Sequence, residues 1–258
     1  MTRVPGIADH GPRARFSIVI ATFNSAATLA AALDSVLSQG RDDVELLVID
    51  GGSTDGTMDV VRTYHSDIAH AVSEPDAGIY DAWNKGLRAA SGDYIGFIGA
   101  DDIYLPRALA AYDACIADNP GCEYVSSRVR YGCPPDDRII GKAWSWDTFR
   151  RWMTVAHVGS MHSRSLYERV GYYDDSFGIT GDYELLLRAG PTLHACFTPA
   201  ITAQMGTGGV SAGHDGKVFR EAALAKALHS DLGARRIMLD NAVARAKAFV
   251  RSTFRGMK

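Results

Sequence analysis

The chain has 258 residues, 47% hydrophobic and 22% charged, with 27 basic against 30 acidic side chains. That apolar share can bury a core and excludes a disordered or collagen-like chain; at roughly 100–200 residues per domain, one large domain or two small ones fit. A net charge of −3 supplies no general basic field for a nucleic-acid polymer.

In chain order, Phe16-Ser-Ile-Val-Ile-Ala21 reads as a buried strand, followed by an alanine-rich amphipathic helix over 25–38. Val44-Glu-Leu-Leu-Val-Ile49 is the next strand, and a helix is expected to start near Gly56. A weaker strand over 68–72 precedes a helix over 78–90, then the strand Tyr94-Ile-Gly-Phe-Ile98 and a helix over 106–118. Pro106 suits the first turn of that helix, where a missing N–H costs nothing. Alternation of this kind predicts an α/β fold with a mostly parallel central sheet flanked by helices.

The second half is less regular. Strands are expected over 123–129 and 138–142, helices over 164–170 and 182–189, a strand over 201–205, and a helical extension from 215 onward. From Gly233 to Lys258 seven basic residues face one acid, giving the tail +6 and the rest of the chain −9. Ile237, Val243, Phe249, Val250 and Phe254 give this tail an apolar stripe. Such a helix can lie on an anionic membrane surface or pack on its own domain, and both readings stay open.

The cysteines at 115, 122, 133 and 196 form no CxxC pair and are too sparse for a disulfide framework, so buried, reduced thiols in a cytoplasmic protein are expected. The first ten residues lack the apolar core of a secretory signal. The uncharged run from Phe16 to Leu33 is interrupted by Ser17, Thr22, Asn24, Ser25 and Thr28, and reads as strand plus helix rather than a membrane span.

Ligands bind beyond the carboxyl ends of the strands in such a sheet. Those ends are Thr22-Phe23-Asn24, Asp50-Gly-Gly-Ser-Thr-Asp55-Gly56, Glu74-Pro-Asp76 and Gly99-Ala-Asp101-Asp102. Carboxylates gathered on one edge repel unless a cation sits among them. Asp101 and Asp102 can hold Mg²⁺ or Mn²⁺ by one or two oxygens, leaving the other positions to phosphate oxygens and water, or they can simply cap a turn. An EF-hand reading of 50–61 fails, because Gly52 and Val61 stand where ligands are required.

Several of these segments together resemble the family 2 glycosyltransferases: the strand ending in Thr22-Phe23-Asn24, Val48-Ile-Asp-Gly-Gly-Ser-Thr-Asp-Gly56, Asp76-Ala-Gly-Ile-Tyr-Asp-Ala-Trp-Asn-Lys-Gly86 and Phe97-Ile-Gly-Ala-Asp-Asp102. His157-Val-Gly-Ser-Met-His-Ser-Arg164 and Gly181-Asp-Tyr-Glu-Leu185 continue the likeness, which runs from Phe16 to Gly213. The resemblance implies a GT-A nucleotide-diphosphosugar transferase fold over 16–213, with a tail at 1–15 and a helical extension over 214–258. It also implies inverting transfer of a sugar from a nucleotide-diphosphate donor to a saccharide or lipid-linked acceptor, as in bacterial polysaccharide or glycolipid assembly, on the cytoplasmic side of the membrane.

By the same resemblance, Asp182 is the catalytic base and Asp102 a metal ligand, with Asp101 beside the ribose or the metal. Thr22, Phe23, Asp50 and Lys85 line the nucleotide side, and Trp83 and His157 are candidate sugar or acceptor contacts. Lys85 also stands four residues after Asp81, the spacing of a helix-surface ion pair. Gly51 and Ala100 depart from the family pattern, since many relatives carry acids there.

Three other classes would need different residues. A nucleotidyltransferase wants a glycine-rich phosphate loop with a basic residue directly after the first strand, and Thr22-Phe-Asn-Ser-Ala26 lacks it. Gly209-Val-Ser-Ala-Gly213 matches the serine-hydrolase elbow around Ser211, but only a helical tail with His214 and His229 follows to complete a triad. A sugar-nucleotide-binding protein without turnover would keep the acids at the strand ends and have no need of Asp182.

Overall fold

The computed structural model describes residues 14–132, 137–206 and 215–255. Strand β1 (Phe16–Thr22) is buried along its whole length and pairs in parallel with β2 (Val44–Asp50) on one side and β4 (Tyr94–Gly99) on the other. β3 (His70–Ser73) adds to β2, also in parallel. The register sets Thr22 beside Asp50 and Asp50 beside Ser73, so three loops leave the sheet at one rim.

The chain then adds β5 (Ile103–Tyr104), β6 (Tyr124–Tyr131), β7 (Arg138–Ile140), β8 (Ser160–Ser163) and β9 (Ala195–Met205), giving the order β3-β2-β1-β4-β8-β6-β9-β5 with β7 on β6. β8 runs antiparallel to both β4 and β6, β5 runs antiparallel to β9, and β6 and β9 are parallel. The expected parallel sheet therefore holds for the first half, and the second half is mixed.

Alternation along β1 explains the layers. Ile18 and Ile20 join one core with Leu29 and Leu33 of α1 (Leu29–Leu37), while Val19 and Ala21 join the other with Tyr80 and Leu87 of α3 (Ile79–Ala89). Gly86 lets α3 lie directly on the strand, since a Cβ there would meet a Val19 methyl at 2.5 Å.

Between these elements lie α2 (Thr57–Thr63), α4 (Ala108–Asp118), α5 (Trp146–Phe149) and α6 (Arg164–Val170), with a short 3₁₀ turn at His157–Gly159. The expected helix start at Pro106 is corrected: Arg107 adopts a left-handed φ of 66°, which breaks helical geometry between the proline and Ala108.

α7 (Gly181–Ala189), α8 (Asp215–His229) and α9 (Ala234–Arg255) pack in succession. The inner face of α9 buries Ile237 and Asp240, whose carboxylate takes hydrogen bonds from Arg151. Its outer face leaves Met238, Leu239, Phe249 and Val250 exposed, so packing and an open apolar face coexist on one helix.

The expectation of uniformly reduced thiols is also corrected. Cys122 and Cys196 form a disulfide, with 6.3 Å between their Cα atoms. β6 and β9 bring them together as neighbours across 74 residues of sequence, a pairing that spacing alone does not reveal. Cys115 is free and buried.

Candidate active site

The rim of the parallel half is built by loops laced to one another. Asn24 sits at a left-handed φ of 49°; its amide N–H donates to Ser53 Oγ (2.7 Å), and its Oδ1 accepts from Thr54 N (2.9 Å). Asp55 accepts from Thr57 N at the start of α2 and from Ala26 N in the loop after β1. The loops after β1 and β2 thus form one body.

Asp50 is fully buried and shapes that body. It takes hydrogen bonds from the amides of Gly52 (3.2 Å) and Ser53 (2.9 Å) and from the hydroxyls of Ser53 and Ser73. Those four donors balance its charge, so Asp50 acts on this rim through the turn it fixes. Gly52 needs its flexibility here, with φ at 85° and the Pro75 backbone packed against it. Above the turn, Phe23 is 62% exposed, and the buried Thr22 hydroxyl has no hydrogen-bond partner among the described residues.

Lys85 closes the next loop. Its ammonium contacts Glu74 (2.9 Å) and Asp81 (3.4 Å) and donates to Pro75 O (3.2 Å), so the i,i+4 pair is real and also latches the 74–76 segment to α3.

At the end of β4, Asp102 is 8% exposed; one oxygen accepts from Gly99 N and the other from Gly206 N, each at 2.9 Å. Burial pushes its carboxyl up to about 6, against these two amides, which lower it. Asp101 is exposed and lies against Gly206, where a Cβ would meet its Oδ2 at 2.4 Å. Two adjacent carboxyls with no ion-pair partner among the described residues suit a divalent cation, which would supply the missing charge. No group of three such ligands occurs among the described residues, so solvent or ligand oxygens must complete any coordination.

Asp182 starts α7, where the helix N-terminus favours a negative charge. Its Oδ1 accepts from Tyr183 N (2.8 Å) and from Tyr80 OH (3.2 Å), a hydroxyl whose single proton also reaches Ile179 O (2.7 Å). Oδ2 has no hydrogen bond from a described residue. Burial pushes this carboxyl up to about 6, with the Tyr183 amide and Tyr80 hydroxyl pulling the other way.

Beside it lies an aromatic cluster. Trp83 stacks on His157 with ring centroids 4.3 Å apart and planes at 11°, and His157 Nε2 pairs with Tyr173 OH at 2.8 Å. Burial, and then the neighbouring His162, hold His157 well below its ordinary range, so it is neutral at pH 7. Both residues retain partial exposure at the surface of the cluster.

One residue that sequence reasoning missed is Glu221 on α8. Its carboxylate accepts from the amides of Gly178 (2.9 Å), Ile179 (2.8 Å) and Thr180 (3.0 Å), fixing the loop that delivers Asp182. No motif marks it, because the three donors are backbone groups some 40 residues away. Glu221→Ala should cost about 1–3 kcal/mol by stranding buried N–H groups, lowering the melting temperature by several degrees; an unchanged melting curve would refute this anchoring role. Ser211 lies outside the described residues, so the hydrolase motif has no geometry to weigh.

The model of glycosyl transferase family 2 matches residues 17–167. The PGL/p-HBAD biosynthesis glycosyltransferase of Mycobacterium bovis (strain BCG / Pasteur 1173P2) is 32% identical over 202 residues, 73% of this chain and 72% of that protein. Chondroitin synthase of Pasteurella multocida is 27% identical over 183 residues, 67% of this chain but 18% of that larger protein.

Two solved structures share the fold. S. aureus TarS 1–349 in complex with UDP-GlcNAc has a TM-score of 0.68 at 16% identity, covering 91% of this chain and 73% of that one. The mannosyltransferase PcManGT from Pyrobaculum calidifontis, in complex with GDP-Man and Mn²⁺, has a TM-score of 0.65 at 22% identity, covering 96% and 82%. This chain spans 41% of the longer TarS chain. The fold is that of the GT-A glycosyltransferases. The chain belongs to glycosyl transferase family 2.

Proposed function

We propose that this protein moves a glycosyl group from a nucleoside diphosphate sugar to an acceptor hydroxyl with inversion, and that Asp182 is the general base. The observation that carries this reading is the Asp182 carboxyl: one oxygen is held by Tyr183 N and Tyr80 OH, the other takes no bond from a described residue, and its ionisation is tuned to about 6. A base titrating near the working pH is efficient in both taking up and releasing a proton.

The acceptor O–H gives its proton to Asp182 as its oxygen attacks the anomeric carbon from the face opposite the diphosphate. The bond from that carbon to the diphosphate oxygen breaks, and its electron pair leaves with the nucleoside diphosphate. Phe23, Thr22 and the turn shaped by Asp50 form the donor side, with Asp101 toward the ribose or the metal and Lys85 bracing the neighbouring loop. Mg²⁺ or Mn²⁺ held by Asp101 and Asp102 would neutralise charge developing on the diphosphate. Trp83, with His157 beneath it, offers an apolar wall to the sugar or the acceptor.

The names of the mycobacterial and Pasteurella relatives support a role in glycolipid or polysaccharide assembly, with a saccharide or lipid-linked acceptor. No helix among the described residues is long and apolar enough to cross a membrane. The outer face of α9, with Met238, Leu239 and Phe249 exposed beside Arg235 and Arg245, supports contact with the cytoplasmic leaflet. The protein should therefore float with vesicles containing anionic lipid and lose this on Arg235→Glu/Arg245→Glu; equal recovery with neutral vesicles would refute the electrostatic part.

The central experiment is a thermal-shift panel of nucleoside diphosphates and their sugars with and without Mn²⁺, followed by a turnover assay on the donors that bind. Stabilisation that needs the metal, together with release of nucleoside diphosphate when acceptor is added, is the expected result. Binding without turnover across acceptors would favour a sugar-nucleotide-binding protein instead.

A further inference from the structure

We infer that Asp76 selects the base of the donor nucleotide, and that it selects bases carrying a ring N–H: uracil or thymine at N3, guanine at N1. This rests on the nucleoside diphosphate reading above and adds to it the class of nucleotide.

The turn after β2 contains a gap. Gly51 has no side chain, and the space one would fill is taken by Asp76 from the neighbouring loop. A Cβ built on Gly51 would lie 2.6 Å from Asp76 Oδ2 and 3.5 Å from Cδ2 of Phe23. A carboxylate oxygen and the edge of an aromatic ring thus converge on one point above the turn. Phe23 is a large apolar ring left 62% exposed.

Asp76 is held for this task. Its Oδ1 accepts from Gly78 N at 3.0 Å, which fixes the rotation of the carboxyl, while Oδ2 takes no hydrogen bond from a described residue. The loop that carries it is fastened by Lys85 to Pro75 O and Glu74, and its backbone packs on Gly52. A fixed acceptor beside an open aromatic surface matches a flat heterocycle that stacks on the ring and offers an N–H at its edge. Cytosine N3 and adenine N1 are acceptors at the corresponding edge, and would set a lone pair against the carboxylate. The selection thus works by repulsion as well as attraction.

The test measures dissociation constants of UDP, GDP, CDP and ADP, with Mn²⁺ present, for the intact protein and three variants. The native protein should bind UDP or GDP at least ~10-fold more tightly than CDP and ADP, the range expected for a hydrogen bond to a charged acceptor. Asp76→Asn keeps its oxygen on Gly78 N and turns its NH2 toward the base, a donor where the carboxylate was an acceptor, so the ratio should fall to within about threefold or reverse. Gly51→Ala, which keeps the carboxylate but drives it from its place, should erode the same ratio. Phe23→Ala should weaken all four ligands by a similar factor and leave the ratio intact. An unchanged ratio in Asp76→Asn, or no preference in the native protein, overturns the inference while leaving the donor reading standing. Failure of all four nucleotides to bind overturns both.

Discussion

Asp182→Asn should lower kcat by about 10²–10⁴ while leaving the donor dissociation constant unchanged, because the amide preserves shape and hydrogen bonds but takes no proton. The native enzyme should show the matching pH profile. Its carboxyl is raised to about 6 by burial, so activity should fall tenfold per pH unit below that value and level off above it. Transfer at the native rate by the variant would end the assignment of Asp182 as base.

The same substitution should alter stability, with an opposite sign. An aspartate whose folded pKa lies above its unfolded value favours the folded state most when protonated, so that contribution is lost as pH rises from about 4 through 6. At pH 8 the native protein carries a charge burial disfavours, and Asp182→Asn should be more stable by roughly 1–3 kcal/mol. At pH 3 the two should melt together. Higher stability joined to lost turnover separates a functional charge from a structural cap, whose removal would cost stability at every pH.

Asp102→Ala should have the second large effect, abolishing metal-dependent stabilisation by nucleoside diphosphates and reducing turnover by about 10²-fold or more, since charge neutralisation at a leaving diphosphate is worth several kcal/mol. Asp102 also ties the end of β4 to Gly206 through two backbone amides, so the alanine variant should melt lower even without ligand. Asp101→Asn provides the control: its side chain is exposed, and it should lose metal dependence with little change in intrinsic stability. If both variants bind nucleotide with native metal dependence, the pair does not hold the cation.

The correspondence between sequence and structure is uneven for identifiable reasons. β1, β2 and β4 each carry an uninterrupted uncharged run, Ile18–Ala21, Leu46–Ile49 and Ile95–Ile98, that fills both faces of a covered sheet, and hydrophobic patterning reveals such runs. β5 and β8 are two and four residues long and exist because a partner strand pairs with them. Nothing in Ile103–Tyr104 or Ser160–Ser163 distinguishes them from loop. The C-terminal helices read correctly as helical, but Asp231 in the break between them pairs with Arg150 and the buried Asp240 with Arg151, both partners from another part of the chain.

The site divides along the same line. Asp101, Asp102 and Asp182 stand out in the sequence because each follows a strand or opens a helix in a recognisable run of residues. The open oxygen of Asp182, the Glu221 clamp behind it and the placement of Asp76 over Gly51 involve residues 25–43 positions apart or more, joined by loops whose paths no local pattern encodes. Local periodicity and turn chemistry thus determined the long strands and helices of the first half, and which of those strand ends became polar. Tertiary structure decided which carboxylates were satisfied by backbone amides and which remained available, because that depends on what the fold packs above each one.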